Sequence, residues 1–154
     1  MNKIIILILI GLFIPLVLYG QSWEELINNA NKFQKLGDYD GAILSAESAK
    51  QKAFEEFGPD HKNYILTLNK LALLYKSIEK NEPALILYWE AKNTLKQSVG
   101  IKHPDYVSTL NNLAELYNKT GNNLAALTLY KEASDIISQE IGVKNSIYAT
   151  LLSN

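Results

Sequence analysis

The sequence of 154 residues predicts an all-α protein, an α-solenoid of stacked antiparallel helix hairpins. Residues 58–99 recur without a gap as residues 100–141, and 18 of the 42 aligned positions are identical. Within each copy the apolar residues fall at the spacing of amphipathic helices. A fixed period of about 20 to 50 residues is typical of arrays whose units bury apolar surface only against their neighbours. We therefore expect a protein that works by binding.

Residues 1–20 are predicted to be a signal peptide. Lys3 provides the positive start, residues 4–19 form the apolar run, and cleavage is expected after Gly20. The alternative is a membrane anchor retained at residues 4–19. Gly11 and Pro15 interrupt that run, which is shorter than the roughly 20 residues needed to cross a bilayer core. We expect an exported protein, periplasmic or secreted, that contacts a membrane only if this segment is retained.

The composition favours one globular domain over residues 21–154. The chain is 47% hydrophobic and 20% charged, with a net charge of −1, so no strong field attracts nucleic acid. All 15 basic residues are lysine, and without arginine there is no planar fork for bidentate contacts to phosphate. The chain also has no cysteine. Its stability must come from helix packing, and we expect no nucleic-acid partner.

The repeat divides this domain into units of about 22–57, 58–99 and 100–141, with a partial unit at 142–154. Each full unit is predicted to be two helices, because polar breaks at 80–83 and 120–123 separate two apolar patterns. Gly58 and Gly100 begin the links between units. The first unit is divergent but keeps apolar and small residues in register at Leu26, Ala30, Phe33, Gly37, Ala42 and Ala49.

Small residues recur where helices are expected to approach most closely. Alanine permits axes about 8 to 10 Å apart, and tyrosine fills the wider gaps. The predicted close contacts are Ala72, Ala84, Ala91, Ala114, Ala126 and Ala133, and the predicted gap-filling residues are Tyr75, Tyr88, Tyr117 and Tyr130.

These apolar series resemble the tetratricopeptide repeat. The 42-residue period, with HPDY at 103–106 and TLNNLAELY at 109–117, resembles more narrowly the kinesin-light-chain-like version, here in a bacterial, exported protein. The resemblance covers residues 22–154 and implies a right-handed superhelix. It departs from the family pattern at Glu79 and Asn81, which replace a Gly and an aromatic residue, and at Ile27, which replaces the first groove Asn.

In that family the first helix of each unit lines a concave groove that holds peptide segments, often through Asn side chains. The resemblance implies groove candidates at Asn31, Gln34, Lys35, Asn69, Lys70, Leu73, Lys76, Asn111, Asn112, Glu115, Asn118 and Lys119.

Chemistry supports this role for the Asn residues. An Asn amide is donor and acceptor together, so Asn69 and Asn111, one unit apart, can hold the backbone of an extended peptide. The alternative is that these side chains are solvated and were copied with the repeat. Lys70, Lys76 and Lys119 would favour acidic peptides, unless they only aid solubility.

We expect no enzyme, cofactor or metal site. His61 and His103 are expected one repeat apart, on the order of 10 Å. That is too far for both to bind one zinc ion, because a Zn–N bond is about 2.0 Å long. They are better explained as loop residues near helix starts. The sequence has no Gly-x-Ser-x-Gly motif and no evident partner to orient either histidine.

Two functions stay open. The first is a non-catalytic scaffold that binds a protein or an extended peptide. The second is the N-terminal part of a larger exported or membrane-anchored enzyme or sensor, resembling repeat arrays joined to caspase-like proteases or signalling kinases and cut at residue 154. Ile147, Leu151 and Leu152 would leave an apolar C-terminal edge through which the chain could also associate with itself.

Overall fold

The computed structural model describes residues 20–140, which form six α-helices. They are α1 (Trp23–Lys35), α2 (Tyr39–Phe57), α3 (Lys62–Ser77), α4 (Asn81–Ser98), α5 (Pro104–Lys119) and α6 (Asn123–Glu140). The predicted signal peptide and partial fourth unit lie outside the described residues.

The helices form three successive hairpins, α1 with α2, α3 with α4, and α5 with α6. Each helix packs against the next one along the chain, within a hairpin and between hairpins. Three residues join the helices of each hairpin, and four or five residues join successive hairpins. No strand occurs between residues 20 and 140. The predicted all-α fold of stacked helix hairpins is confirmed.

Side chains at the helix starts pair with backbone N–H groups that have no partner inside the helix. At α1, Ser22 and Glu25 form a reciprocal capping box, since each side chain accepts from the other's backbone N–H. At α3 and α5 the cap is a histidine. Nδ1 of His61 and of His103 accepts a hydrogen bond of 3.2 Å from the backbone N–H two residues later. Both histidines thus lie at helix starts, as predicted.

The turns inside the hairpins differ at one position. Gly37 and Gly121 adopt φ values of 77° and 83°, and Glu79 occupies the equivalent position in the second hairpin with φ 61°. A side chain is disfavoured in this left-handed region because its Cβ crowds the following carbonyl oxygen. The second hairpin therefore carries backbone strain that its two neighbours avoid.

The core lies between the helices and consists mainly of leucine and alanine side chains. All six alanines predicted at close contacts are buried, with exposed fractions of 0 to 3%. Tyr88 is buried, while Tyr75, Tyr117 and Tyr130 are partly buried and packed against the core. In the divergent first unit, Leu26, Ala30, Ala42 and Ala49 are also buried.

One hydrogen bond recurs inside the second and third hairpins. Tyr64 Oη donates to Glu90 at 2.5 Å, and Tyr106 Oη donates to Glu132 at 2.7 Å. Burial, together with the carboxylate acceptor, raises the pKa of both tyrosines. Each bond ties the first helix of a hairpin to its second helix.

Candidate binding surface

The three first helices, α1, α3 and α5, are joined directly to one another by side chains. The indole Nε1 of Trp23 donates 2.9 Å to Oγ1 of Thr67, which links α1 to α3. Asn69 Nδ2 donates 3.3 Å to Oγ1 of Thr109, which links α3 to α5. We call the face of these helices that carries the predicted groove candidates the first-helix surface. It contains Asn31, Gln34, Lys35, Leu66, Asn69, Lys70, Leu73, Lys76, Asn111, Asn112, Glu115, Asn118 and Lys119.

Lys70 and Gln34 bond to each other on this surface. Lys70 Nζ donates 2.5 Å to Oε1 of Gln34, so the bond runs from α3 to α1. Burial lowers the pKa of Lys70, because the charged ammonium loses hydration there. The bond makes these two candidates part of the contact between the first and second units.

Asn69 and Asn111, the two asparagines predicted to hold a peptide backbone, have different surroundings. Asn69 already bonds to Thr109, whose hydroxyl in turn donates 2.8 Å to the backbone carbonyl of Asp105. In Asn111, Oδ1 is buried and has no hydrogen-bond partner within the described part of the chain. A buried acceptor without a donor costs about 1 to 3 kcal/mol. Asn111 therefore keeps a hydrogen-bonding capacity that Asn69 has partly used.

The charged candidates pair with acids of the neighbouring unit. Lys76 Nζ lies 2.6 Å from Oε2 of Glu115, and Lys119 Nζ lies 3.8 Å from Oε1 of Glu79. Both pairs cross from the second unit to the third. Of the three lysines that would favour acidic peptides, Lys76 and Lys119 thus lie near carboxylates, while Lys70 bonds to an uncharged amide.

Other candidates are accessible. Asn118, Glu115 and Lys35 are exposed, and Asn31 and Asn112 are half-buried. They lie on α1 and α5, the first helices of the first and third units.

Two leucines make part of this surface apolar, and sequence reasoning identified only one of them. Leu66 is 50% exposed and Leu73 is 41% exposed; being seven residues apart, they share one face of α3. The equivalents of Leu66 in the other units are Glu24 and Ser108. Equivalent positions of a stacked repeat have the same orientation, so polar residues at 24 and 108 predict that Leu66 faces outward. The sequence therefore contained the signal that identifies Leu66 as a surface residue.

The end of the described array also exposes apolar surface. On α6, Leu124 is 77% exposed and Leu127 is 65% exposed. Leu85, the equivalent of Leu127 one unit earlier, is half-buried and packed against the core. Ile147, Leu151 and Leu152 lie outside the described residues, so self-association through this end stays a prediction.

Together, the helix hairpins and their joined first helices define an α-solenoid. The family model of the tetratricopeptide repeat matches residues 65–105 and 107–145, which is more than half of the chain. The chain belongs to the tetratricopeptide repeat family. Domains of this family generally mediate contacts between proteins and are typically non-catalytic.

Solved structures show the same fold. BtubC (BKLC) from P. vanneervenii is 23% identical, with a TM-score of 0.74, over 80% of this chain and 50% of that chain. The second is the structure of nearly identical TPR-like repeats from a Podosopora anserina kinesin light chain. It shares 16% sequence identity with this chain and has a TM-score of 0.73, over 83% of this chain and 61% of that one. The similarity thus supports a fold of kinesin-light-chain-like repeats.

The chain spans about half to three fifths of the length of these structures. No curated protein matches the sequence.

None of the helices between residues 20 and 140 is both long enough and apolar enough to cross a bilayer. The alternative interpretation as part of a larger enzyme or sensor stays a prediction.

Proposed function

We propose that this protein is a non-catalytic scaffold that binds an extended peptide, or an extended segment of a partner protein, on the first-helix surface. The observation that carries the proposal is the direct joining of α1, α3 and α5, through Trp23 to Thr67 and Asn69 to Thr109. This arrangement presents equivalent positions of successive units on one continuous face.

The accessible side chains on this face suit a ligand held by its backbone. Asn112 and Asn118 each offer a donor and an acceptor, which matches the alternating N–H and C=O groups of an extended chain. Leu66 and Leu73 offer apolar contact to a ligand side chain. The ligand would gain affinity from hydrogen bonds to its main chain and specificity from the leucines.

A peptide array tests the proposal. The purified chain is screened against random peptides, and the strongest binder is titrated by calorimetry. Replacing both Asn112 and Asn118 by Ala removes hydrogen bonds worth about 0.5 to 1.5 kcal/mol each, so affinity should fall about 5-fold or more. The matched control is Asn93→Ala, an exposed asparagine on α4.

The control should bind as the wild type does. If the double variant binds as tightly as the control, the first-helix surface is not where the peptide lies. Urea titrations of both variants would show that any loss of affinity does not come from unfolding.

We also propose that the chain is exported through cleavage after Gly20. Lys3 and the apolar run at 4–19 support this proposal. Mass spectrometry of the protein recovered from a bacterial host should show Gln21 as the first residue. Recovery of the uncleaved chain in the membrane fraction would instead support the retained anchor.

A further inference from the structure

We infer that Lys76, Glu79, Glu115 and Lys119 are positioning residues that set the spacing between α3 and α5, and make that spacing sensitive to ionic strength. The four residues form two ion pairs across the junction between the second and third units, Lys76 with Glu115 and Lys119 with Glu79. Three of them were groove candidates in the sequence.

A third ion pair fastens the same junction between the second helices. Lys92 Nζ, on α4, lies 3.6 Å from Oε2 of Glu132 on α6. The side chains of Lys76 and Lys92 are only 16% and 13% exposed. The junction is therefore held by opposite charges between both its first helices and its second helices.

The junction between the first and second units is held by a different chemistry. Its described bonds run from Trp23 to Thr67, from Lys70 to Gln34 and from Tyr75 to Glu47. Each of these bonds has at least one uncharged partner.

The sequence explains the difference between the first-helix contacts of the two junctions. The positions equivalent to Lys76 and Glu115 are Gln34 and Leu73 at the first junction, where no ion pair can form. Likewise, Gly37 is the equivalent of Glu79, and Ser77 is the equivalent of Lys119.

Glu79 adds a second, independent observation. It adopts φ 61°, in the left-handed region where the first and third units have Gly37 and Gly121. A side chain kept where glycine fits better indicates that the carboxylate has a role at this position. The described partner of that carboxylate is Lys119, across the junction.

Dissolved salt should weaken the ion pairs between α3 and α5 by screening their charges. The Debye length shortens from about 10 Å at 0.1 M salt to about 3 Å at 1 M. The side chains of Glu79 and Glu115 are 83% and 55% exposed, so dissolved ions can screen both ion pairs. In a stacked repeat each junction has its own interaction energy. Salt should therefore loosen the contact of α3 with α5 and leave the contact of α1 with α3 unchanged.

Two labelled variants of the full chain test the inference. The chain has no native cysteine, so pairs of spin labels can be placed at will. Leu66→Cys with Ser108→Cys spans α3 and α5, and Glu24→Cys with Leu66→Cys spans α1 and α3 at equivalent, exposed positions. Between 0.05 and 1 M NaCl, the first distance should lengthen or broaden by about 2 Å, the width of the ordinary range of helix spacings. The second distance should stay constant.

Charge variants separate positioning from general stability. Glu79→Gln combined with Glu115→Gln should produce the broad α3–α5 distance already at low salt and remove the further response to salt. The matched control is Glu47→Gln, at the first junction, which should leave the α3–α5 distance as in the wild type. The inference is overturned if both distances respond to salt alike, if neither responds, or if the double variant keeps the low-salt distance.

Discussion

Trp89 Nε1 donates a hydrogen bond of 2.9 Å to the phenolic oxygen of Tyr117, across the junction between the second and third units. One unit earlier, the equivalent residues are Glu47 and Tyr75, and there the tyrosine is the donor, at 2.6 Å. The repeat thus conserves the contact and reverses the direction of the hydrogen bond. The two tyrosines occupy equivalent positions. The residue on the preceding second helix determines whether the phenol donates the hydrogen bond, as to Glu47, or accepts it, as from Trp89.

The Tyr75 contact predicts a dependence on alkaline pH. The hydrogen bond to Glu47, helped by burial, raises the pKa of Tyr75 to about 12. An unfolded tyrosine has a pKa of about 10, so the stability from this contact is complete below about pH 10 and is lost as the pH rises through about 12. Tyr75→Phe should destabilise the protein at pH 8, by about 1 kcal/mol or less because the contact is exposed.

The difference in unfolding free energy between wild type and Tyr75→Phe should then shrink as the pH approaches 12. Urea titrations at pH 8, 10 and 11.5 measure it. A difference that stays constant or grows with pH would contradict the assigned direction of the hydrogen bond.

Core and surface positions of α5 should respond differently to substitution. Ala114 is fully buried, so Ala114→Leu forces extra methylene groups between close helices and should cost about 1 to 3 kcal/mol. Asn118 is exposed, and Asn118→Ala should change stability by less than about 0.5 kcal/mol. Equal urea midpoints for the two variants would show that the assigned facing of α5 is wrong.

The strained turn offers a stabilising change. Glu79→Gly should relieve a left-handed conformation that costs a non-glycine residue about 1 to 2 kcal/mol. Glycine also gives the unfolded chain more conformational freedom, which lowers stability by about 0.4 to 1 kcal/mol. We expect a net gain of about 0.5 kcal/mol in thermal or urea unfolding. The opposite change, Gly121→Ala at the equivalent turn, should lower stability, because φ there is 83°. A loss of stability in Glu79→Gly would mean that the carboxylate stabilises the protein more than the backbone strain destabilises it.

The histidine cap of α5 can be tested by exchange with a better cap. His103→Ala leaves a helix N–H without its acceptor and should cost about 0.5 to 2 kcal/mol. His103→Asn supplies an amide oxygen at the same place, and its unfolding midpoint should be close to that of the wild type. If Asn destabilises as much as Ala, the ring contributes by something other than capping.

Much of the fold follows from the sequence, because the signals are local and repeated. The 42-residue period set the number of hairpins, and the small residues at equivalent places identified the close contacts, as the full burial of Ala72 and Ala114 confirms. The positions of the histidines next to Pro and Gly turns also predicted helix starts. Each of these inferences needs only the helical period and the preference of small residues for close packing.

The tertiary structure alone decided how the first-helix surface is used. The bond from Asn69 to Thr109 and the pair of Lys76 with Glu115 join residues 40 and 39 positions apart, not the repeat period of 42. The repeat identifies which positions are equivalent, but the stagger between neighbouring first helices determines which of them touch. That stagger is a property of how whole helices pack against each other in three dimensions, and it turns several predicted ligand contacts into contacts between units.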